Sequence, residues 1–156
     1  MTEVAVPVRT IRYDELPAAL GAELGPTGWM TVSREQVLGF ADLTDDHQWI
    51  HVDEERAKDG PFGTTIAHGY LTLSLVPSFL TELLDVTGVS MAVNYGLERV
   101  RFPAPLPVGS RVQASASIVG AEPREGATQL TVRVAVSSDG SDRPVCVADV
   151  VILFVG

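Results

Sequence analysis

The sequence predicts an α+β domain in which a curved antiparallel sheet wraps around one buried helix. Three observations point there. The stretch from Tyr70 to about Leu84 is apolar nearly all round, and a helix without a polar face belongs in the middle of a core. Much of the chain after residue 90 alternates apolar and polar residues with period two, the mark of half-buried antiparallel strands. In chain order the helices come first and the run of strands follows, the arrangement of the α+β class.

Each element has its own signal. Residues 1–28 carry Pro7, Pro17, Gly21, Gly25, Pro26 and Gly28 as punctuation and read as an irregular lead-in. A short helix is expected within it, near Tyr13–Leu20. Trp29 to Val32 reads as a short strand. Ser33 then has the character of a helix N-cap, with Gln36 three residues on completing a capping box. Val37, Leu38, Phe40, Ala41 and Leu43 supply the buried face of that helix, which should end near Thr44. Thr44 to Gly69 is polar, with a short charged helix around Asp53–Lys58. The apolar helix follows, with Leu71, Leu75, Phe79 and Leu83 recurring at i+4; Pro77 should kink it or remove one of its hydrogen bonds. Ser90–Phe102 supplies one or two strands. Val112, Ala114, Ala116 and Ile118 form the inner face of another, and Leu130, Val132, Val134 and Val136 that of the next. Val145–Val155 is a near-continuous apolar strand with Asp149 in its middle. Gly109, Gly126 and Asp139-Gly140 mark the turns. A strongly curved sheet closed around one apolar helix is the hot-dog arrangement, with Ile66–Leu84 at its centre.

The chain has 156 residues, about one domain's length, so residues 1–156 are read as a single unit. Its formal net charge of −9 excludes a general nucleic-acid binder, which needs a basic footprint, and disfavours docking on anionic lipid. Lys58 is the only lysine, so an anionic ligand has to be held by arginine or by backbone N–H groups. Cys146 is the only cysteine; it permits no internal disulfide and reads as an inert core thiol. The N-terminus lacks the apolar run of a signal peptide. The longest apolar stretch falls short of the roughly 18 uninterrupted residues of a membrane span. A soluble protein of a reducing compartment, the cytoplasm, is expected.

All three histidines, His47, His51 and His68, lie in the Thr44–Gly69 segment with Asp45, Asp46 and Asp53. A lone histidine is usually structural, and an aspartate beside a helix end is usually a cap. Their co-location is what points to acid–base or metal work. His47 and His51, four apart, would face one ion if both lay on a helix, but the apolar Trp49-Ile50 between them and the lack of an HExxH pattern argue against a metal. Asp46 and His51 are the better pair. The four residues between them form a tight connection that can bring carboxylate and imidazole to one pocket, where they can polarise a water. Gly69, opening the apolar helix, lets a substrate carbonyl approach its backbone N–H.

The run Thr44-Asp45-Asp46-His47-Gln48-Trp49-Ile50-His51, followed by Pro61-Phe62-Gly63 and Ile66-Ala67-His68-Gly69, resembles the MaoC-type hydratase–dehydratase family, which includes R-specific enoyl-CoA hydratases. Val100-Arg101-Phe102-Pro103-Ala104-Pro105 and Val108-Gly109 match the strand after its helix. The resemblance covers roughly residues 30–155 and is strongest to the branch that includes nodulation protein N and related mycobacterial hydratases.

By position, the resemblance implies Asp46 and His51 as catalytic residues and the Gly69 N–H as the group that binds the thioester oxygen. The family's glycine before the aspartate is Asp45 here, and its asparagine is Gln48, whose amide is expected to support the site. A family hydroxyl that braces the aspartate would fall near Pro77, leaving Ser74 or Ser78 as substitutes. His68 is expected to orient the turn before Gly69. Trp49, Ile50 and Phe62 are expected to wall the acyl pocket. The implied reaction is reversible syn addition of water to trans-2-enoyl-CoA, giving (R)-3-hydroxyacyl-CoA. No metal or separate cofactor is implied, since CoA is part of the substrate. Arg99, Arg101, Arg111 and Arg124 are candidates for its phosphates, and a homodimer is expected. The rivals are a hot-dog thioesterase, a dehydratase of carrier-protein substrates and a non-catalytic acyl-CoA-binding domain.

Overall fold

A computed structural model of the chain describes residues 6–156; the first five residues of the lead-in lie outside it. The period-two segments form three long strands, β6 (Arg111–Arg124), β7 (Ala127–Ser138) and β8 (Cys146–Val155). They pair antiparallel in sequence order, and β5 (Met91–Arg101) closes against the far side of β8. Gly126, at φ 70°, makes the β6–β7 turn, a backbone conformation glycine adopts without steric cost. Short strands β2 (Glu23–Leu24) and β3 (Met30–Thr31) add to the other side of β6. The register sends Val112, Ala114, Ala116 and Ile118 and then Leu130, Val132, Val134 and Val136 to the inner face, where all are buried.

Against that face lies the apolar helix, in two pieces: α4 (Gly69–Ser74) and α5 (Val76–Leu83). The break falls at Leu75, two residues before Pro77, whose ring nitrogen has no hydrogen to donate one turn back. Leu71, Val76, Phe79, Leu80 and Leu83 are buried in the core cluster. This is the hot-dog arrangement. Phe79 is 1% exposed, so Phe79→Ala should cost about 3–5 kcal/mol; chemical denaturation monitored by circular dichroism measures it.

Three sequence expectations need correction. The central helix is not buried all round in the single chain: Tyr70, Ser74, Pro77 and Ser78 face outward, with Tyr70 70% exposed. In α1 (Arg34–Thr44), capped by Ser33 and Gln36 as expected, Leu43 is 88% exposed instead of buried. It lies in the last turn of the helix, beyond the reach of the sheet. Residues 1–28 are not irregular throughout. Strand β1 (Arg9–Arg12) pairs parallel with β4 (Leu84–Thr87), a 3-10 helix spans Tyr13–Ala19, and β2 follows. As expected, Asp149 sits within the continuous strand β8. Its carboxylate takes two hydrogen bonds, of 2.7 and 2.8 Å, from Arg133 directly across on β7. Those bonds hold its pKa below the ordinary carboxylate value against the opposing effect of burial.

Cys146 is buried, and desolvation pushes its thiol up to about 11, which keeps it a protonated core group. Among the described residues no helix is long and apolar enough to cross a membrane.

Candidate active site

The segment Thr44–Gly69 folds across one end of the helix, held mainly by backbone. Helix α1 ends with Asp45 in the left-handed conformation, φ 59° and ψ 24°. This explains the glycine that the family motif carries there, and aspartate is among the few other residues that tolerate it. The chain reverses through Asp46, His47 and Gln48 into α2 (Trp49–Val52), then α3 (Glu54–Lys58), whose N-cap is Asp53. Residues 65–67 return alongside α2. The Ile66 N–H donates to the Ile50 carbonyl at 3.0 Å and the Ala67 N–H to the Leu106 carbonyl at 2.8 Å.

This fold brings Asp46, His51 and His68 together. One side-chain polar atom from each lies within 4.8 Å of the others, so Asp46 and His51 are close enough for one water to bridge them by hydrogen bonds of ordinary length. His51 is 7% exposed. Its Nδ1 lies 2.7 Å from the Ile66 carbonyl oxygen. A carbonyl only accepts, so Nδ1 carries the hydrogen and Nε2 keeps a bare lone pair. Burial lowers the His51 pKa below its ordinary value of 6.5, and the nearby His68 acts in the same direction; the Ile66 hydrogen bond and Asp46 oppose them. Asp46 stands at the exposed side, and its Oδ1 accepts from the Gln48 N–H at 3.4 Å.

His68 stacks on His51, with ring centroids 3.8 Å apart and planes 25° from parallel. A metal ion would have to lie in the planes of both rings, and planes so nearly parallel do not meet nearby. The two rings therefore do not aim their nitrogens at one shared ion. His47 is not part of this group. It precedes α2 instead of lying on it, and its Nε2 and Nδ1 reach Asp42 and Asp45 at 2.9 and 3.5 Å. The hydrogen bond with Asp42 is the main cause of its raised pKa.

Gly69 opens α4, so its N–H has no partner inside the helix. A Cβ there would lie 2.9–3.0 Å from three ring atoms of Phe102. Beside it is a cavity of about 280 Å³ lined by Phe62, Ile66, Gly69, Thr72 and the segment Phe102–Leu106.

Other expected residues fall elsewhere. Trp49 and Ile50 do not line this cavity: Trp49 packs under the Arg56 guanidinium, 4.4 Å from its ring centroid, and against Gly60. The Ser74 hydroxyl is exposed and donates to the Tyr70 carbonyl at 2.7 Å, so it does not brace Asp46. Ser78 is exposed as well. Gln48 contributes its backbone; its side chain is exposed and meets no described residue. Arg111 is paired with Asp139 and Arg124 with Glu122, while Arg101, next to Phe102, makes no ion pair among the described residues. Sequence reasoning missed Thr72, which is 2% exposed; its place three residues after Gly69 on the inner helix face was the available signal. It also missed Phe40, whose ring lies 5.0 Å from that of His68.

Comparisons with known proteins identify the family. A family model described as "MaoC like domain" matches residues 15–140. The protein named 3-hydroxyacyl-thioester dehydratase Z from Mycobacterium tuberculosis is 53% identical over 142 residues, 90% of this chain and 94% of that one. Nodulation protein N from Rhizobium leguminosarum bv. viciae is 42% identical over 139 residues, 86% of each chain. Among solved structures, a monoamine oxidase regulatory protein from Archaeoglobus aligns with a TM-score of 0.77 at 28% identity, over 96% of this chain and 98% of that one.

Proposed function

Because the chain belongs to the MaoC-like dehydratase family, we propose that it is a hydro-lyase acting on acyl thioesters. Its reaction is the reversible syn addition of water to trans-2-enoyl-CoA, giving (R)-3-hydroxyacyl-CoA. The observation that carries this reading is the meeting of Asp46 and buried His51 close enough for one water to bridge, in a segment that ends at Gly69, whose N–H has no partner inside its helix.

The chemistry follows from those groups. The Gly69 N–H donates to the thioester carbonyl and stabilises the charge that gathers on its oxygen as C3 is attacked. Asp46 accepts one hydrogen of the water and orients it. The bare Nε2 of His51 takes the other as the oxygen bonds to C3, and the imidazolium returns that proton to C2 on the same face. One water is consumed and His51 ends neutral, so no cofactor is needed. Phe62, Phe102 and the proline-rich segment 103–107 give the acyl group an apolar wall, and Arg101 is the cation best placed for a CoA phosphate.

The test is incubation with crotonyl-CoA. Loss of the conjugated enoyl absorbance with the thioester intact, and an R product on chiral analysis, supports the reading. Release of free thiol would identify a thioesterase, and an S product would overturn the assignment. Activity confined to carrier-protein thioesters would correct the substrate.

A pH profile gives a further check. His51 must be neutral to act as base, and burial holds its pKa below 6.5. The acid limb of kcat/KM should therefore inflect below 6.5. The same shift makes the unfolded chain the better proton binder. This part of the stability is present above 6.5 and lost as pH falls through the lowered value.

The protein is proposed to work as a homodimer. Strand β5 is a sheet edge exposed along nearly its whole length, with the large apolar side chains Met91, Val93, Tyr95 and Leu97 among the exposed residues, a patch that a second copy would cover. Sedimentation should give twice the chain mass of 16.6 kDa, and Tyr95→Asp should give the monomer.

A further inference from the structure

His68 has no step in the reaction just described, yet it is 2% exposed and touches both groups that do. We infer that His68 is the positioning residue of the Asp46–His51 pair, its ring nitrogen holding the Asp46 backbone while its ring face holds the His51 imidazole. The kinetic part of this inference rests on the hydration reading; the tautomer part does not.

The His68 Nε2 lies 2.9 Å from the Asp46 carbonyl oxygen, 22 residues away in sequence. That acceptor requires the hydrogen on Nε2. The other nitrogen, Nδ1, is then a bare lone pair, and it is buried with no partner among the described residues. The geometry thereby fixes His68 in one tautomer. Phe40 of α1 closes its ring on another side, with centroids 5.0 Å apart.

The contact matters because little else of the kind fixes the Asp46 turn. Its other side-chain tethers are exposed: His47 to Asp42 and Asp45, and the 3.4 Å contact from the Gln48 N–H to the Asp46 carboxylate itself. Exposed contacts of this sort hold weakly. The buried His68 hydrogen bond ties that turn to the residue directly before Gly69.

Two substitutions separate the two contacts. His68→Phe keeps a stacking ring and loses the N–H; His68→Gln keeps an N–H at similar reach and loses the ring. His68→Phe should lower kcat for crotonyl-CoA by up to about 100-fold with KM little changed, the size expected when reacting groups are displaced by about 1 Å. His68→Gln, which keeps the hydrogen bond and loses the stack, should lower kcat as well. Wild-type kcat in either variant would overturn the inference.

Ring-nitrogen NMR of the unmodified protein, which has only three histidines, decides independently of activity and of whether the variants fold. The expected result is His68 as the Nε2–H tautomer beside His51 as Nδ1–H. His68 found as Nδ1–H overturns the inference. A wild-type protein that does not hydrate crotonyl-CoA refutes the hydration reading and leaves this spectrum to decide the contact.

Discussion

Asp46→Asn and His51→Gln should each lower kcat for crotonyl-CoA hydration by about 10²–10⁴-fold, the usual contribution of a positioned acid–base group. Each variant keeps the volume of its side chain and removes one function. Asparagine cannot accept from the water with both oxygens of a carboxylate. Glutamine can still reach toward the Ile66 carbonyl, but it has no basic lone pair to take a proton. The adjacent carboxylate supplies the control. Asp45 is fully exposed, serves as the left-handed cap of α1 and touches only His47. Asn is equally at home in that conformation, so Asp45→Asn should change kcat by no more than about threefold. Stopped-time absorbance assays with chiral analysis of the product measure all three. A large loss in Asp45→Asn with activity kept in Asp46→Asn would reassign the carboxylate that orients the water.

Gly69→Ala should lower kcat/KM by about 10-fold or more, a loss of at least about 1.4 kcal/mol of transition-state stabilisation. The added methyl would lie 2.9–3.0 Å from the Phe102 ring, closer than non-bonded carbons settle. Either the ring moves into the cavity it lines or the start of α4 moves away from the thioester. The double variant Gly69→Ala/Phe102→Leu makes room for the methyl and should recover part of the rate. No recovery would mean that the methyl acts on the substrate directly and not through the ring.

Much of this fold was legible in the sequence because it depends on short-range pattern. The capping box at Ser33 and Gln36, the inner faces of β6 and β7 and the turn at Gly126 all follow from residue spacing and turn chemistry. The parts that were not legible depend on which distant backbones meet. The parallel pairing of β1 with β4 leaves no periodic trace in four residues. The exposure of Leu43 depends on where the sheet ends, and the outward face of α4 and α5 on what lies beyond a single chain.

The candidate site divides in the same way. Asp46, His51 and Gly69 were identifiable from motif spacing. Ser74 was not excluded by sequence, because a hydroxyl in a helix can point inward or bond the carbonyl four residues back, and here it does the latter. Trp49 looked like a pocket wall because it is apolar and close in sequence, but Arg56 and Gly60 claim its ring.

The two hydrogen bonds that orient the imidazoles both end on main-chain oxygens, those of Ile66 and Asp46. Every amino acid carries that oxygen, so the acceptors survive any substitution that leaves the local path of the chain intact. In a saturation mutagenesis screen position 66 should accept Val or Leu freely while 51 and 68 do not. For these two hydrogen bonds, then, only the histidine side chains have to be kept.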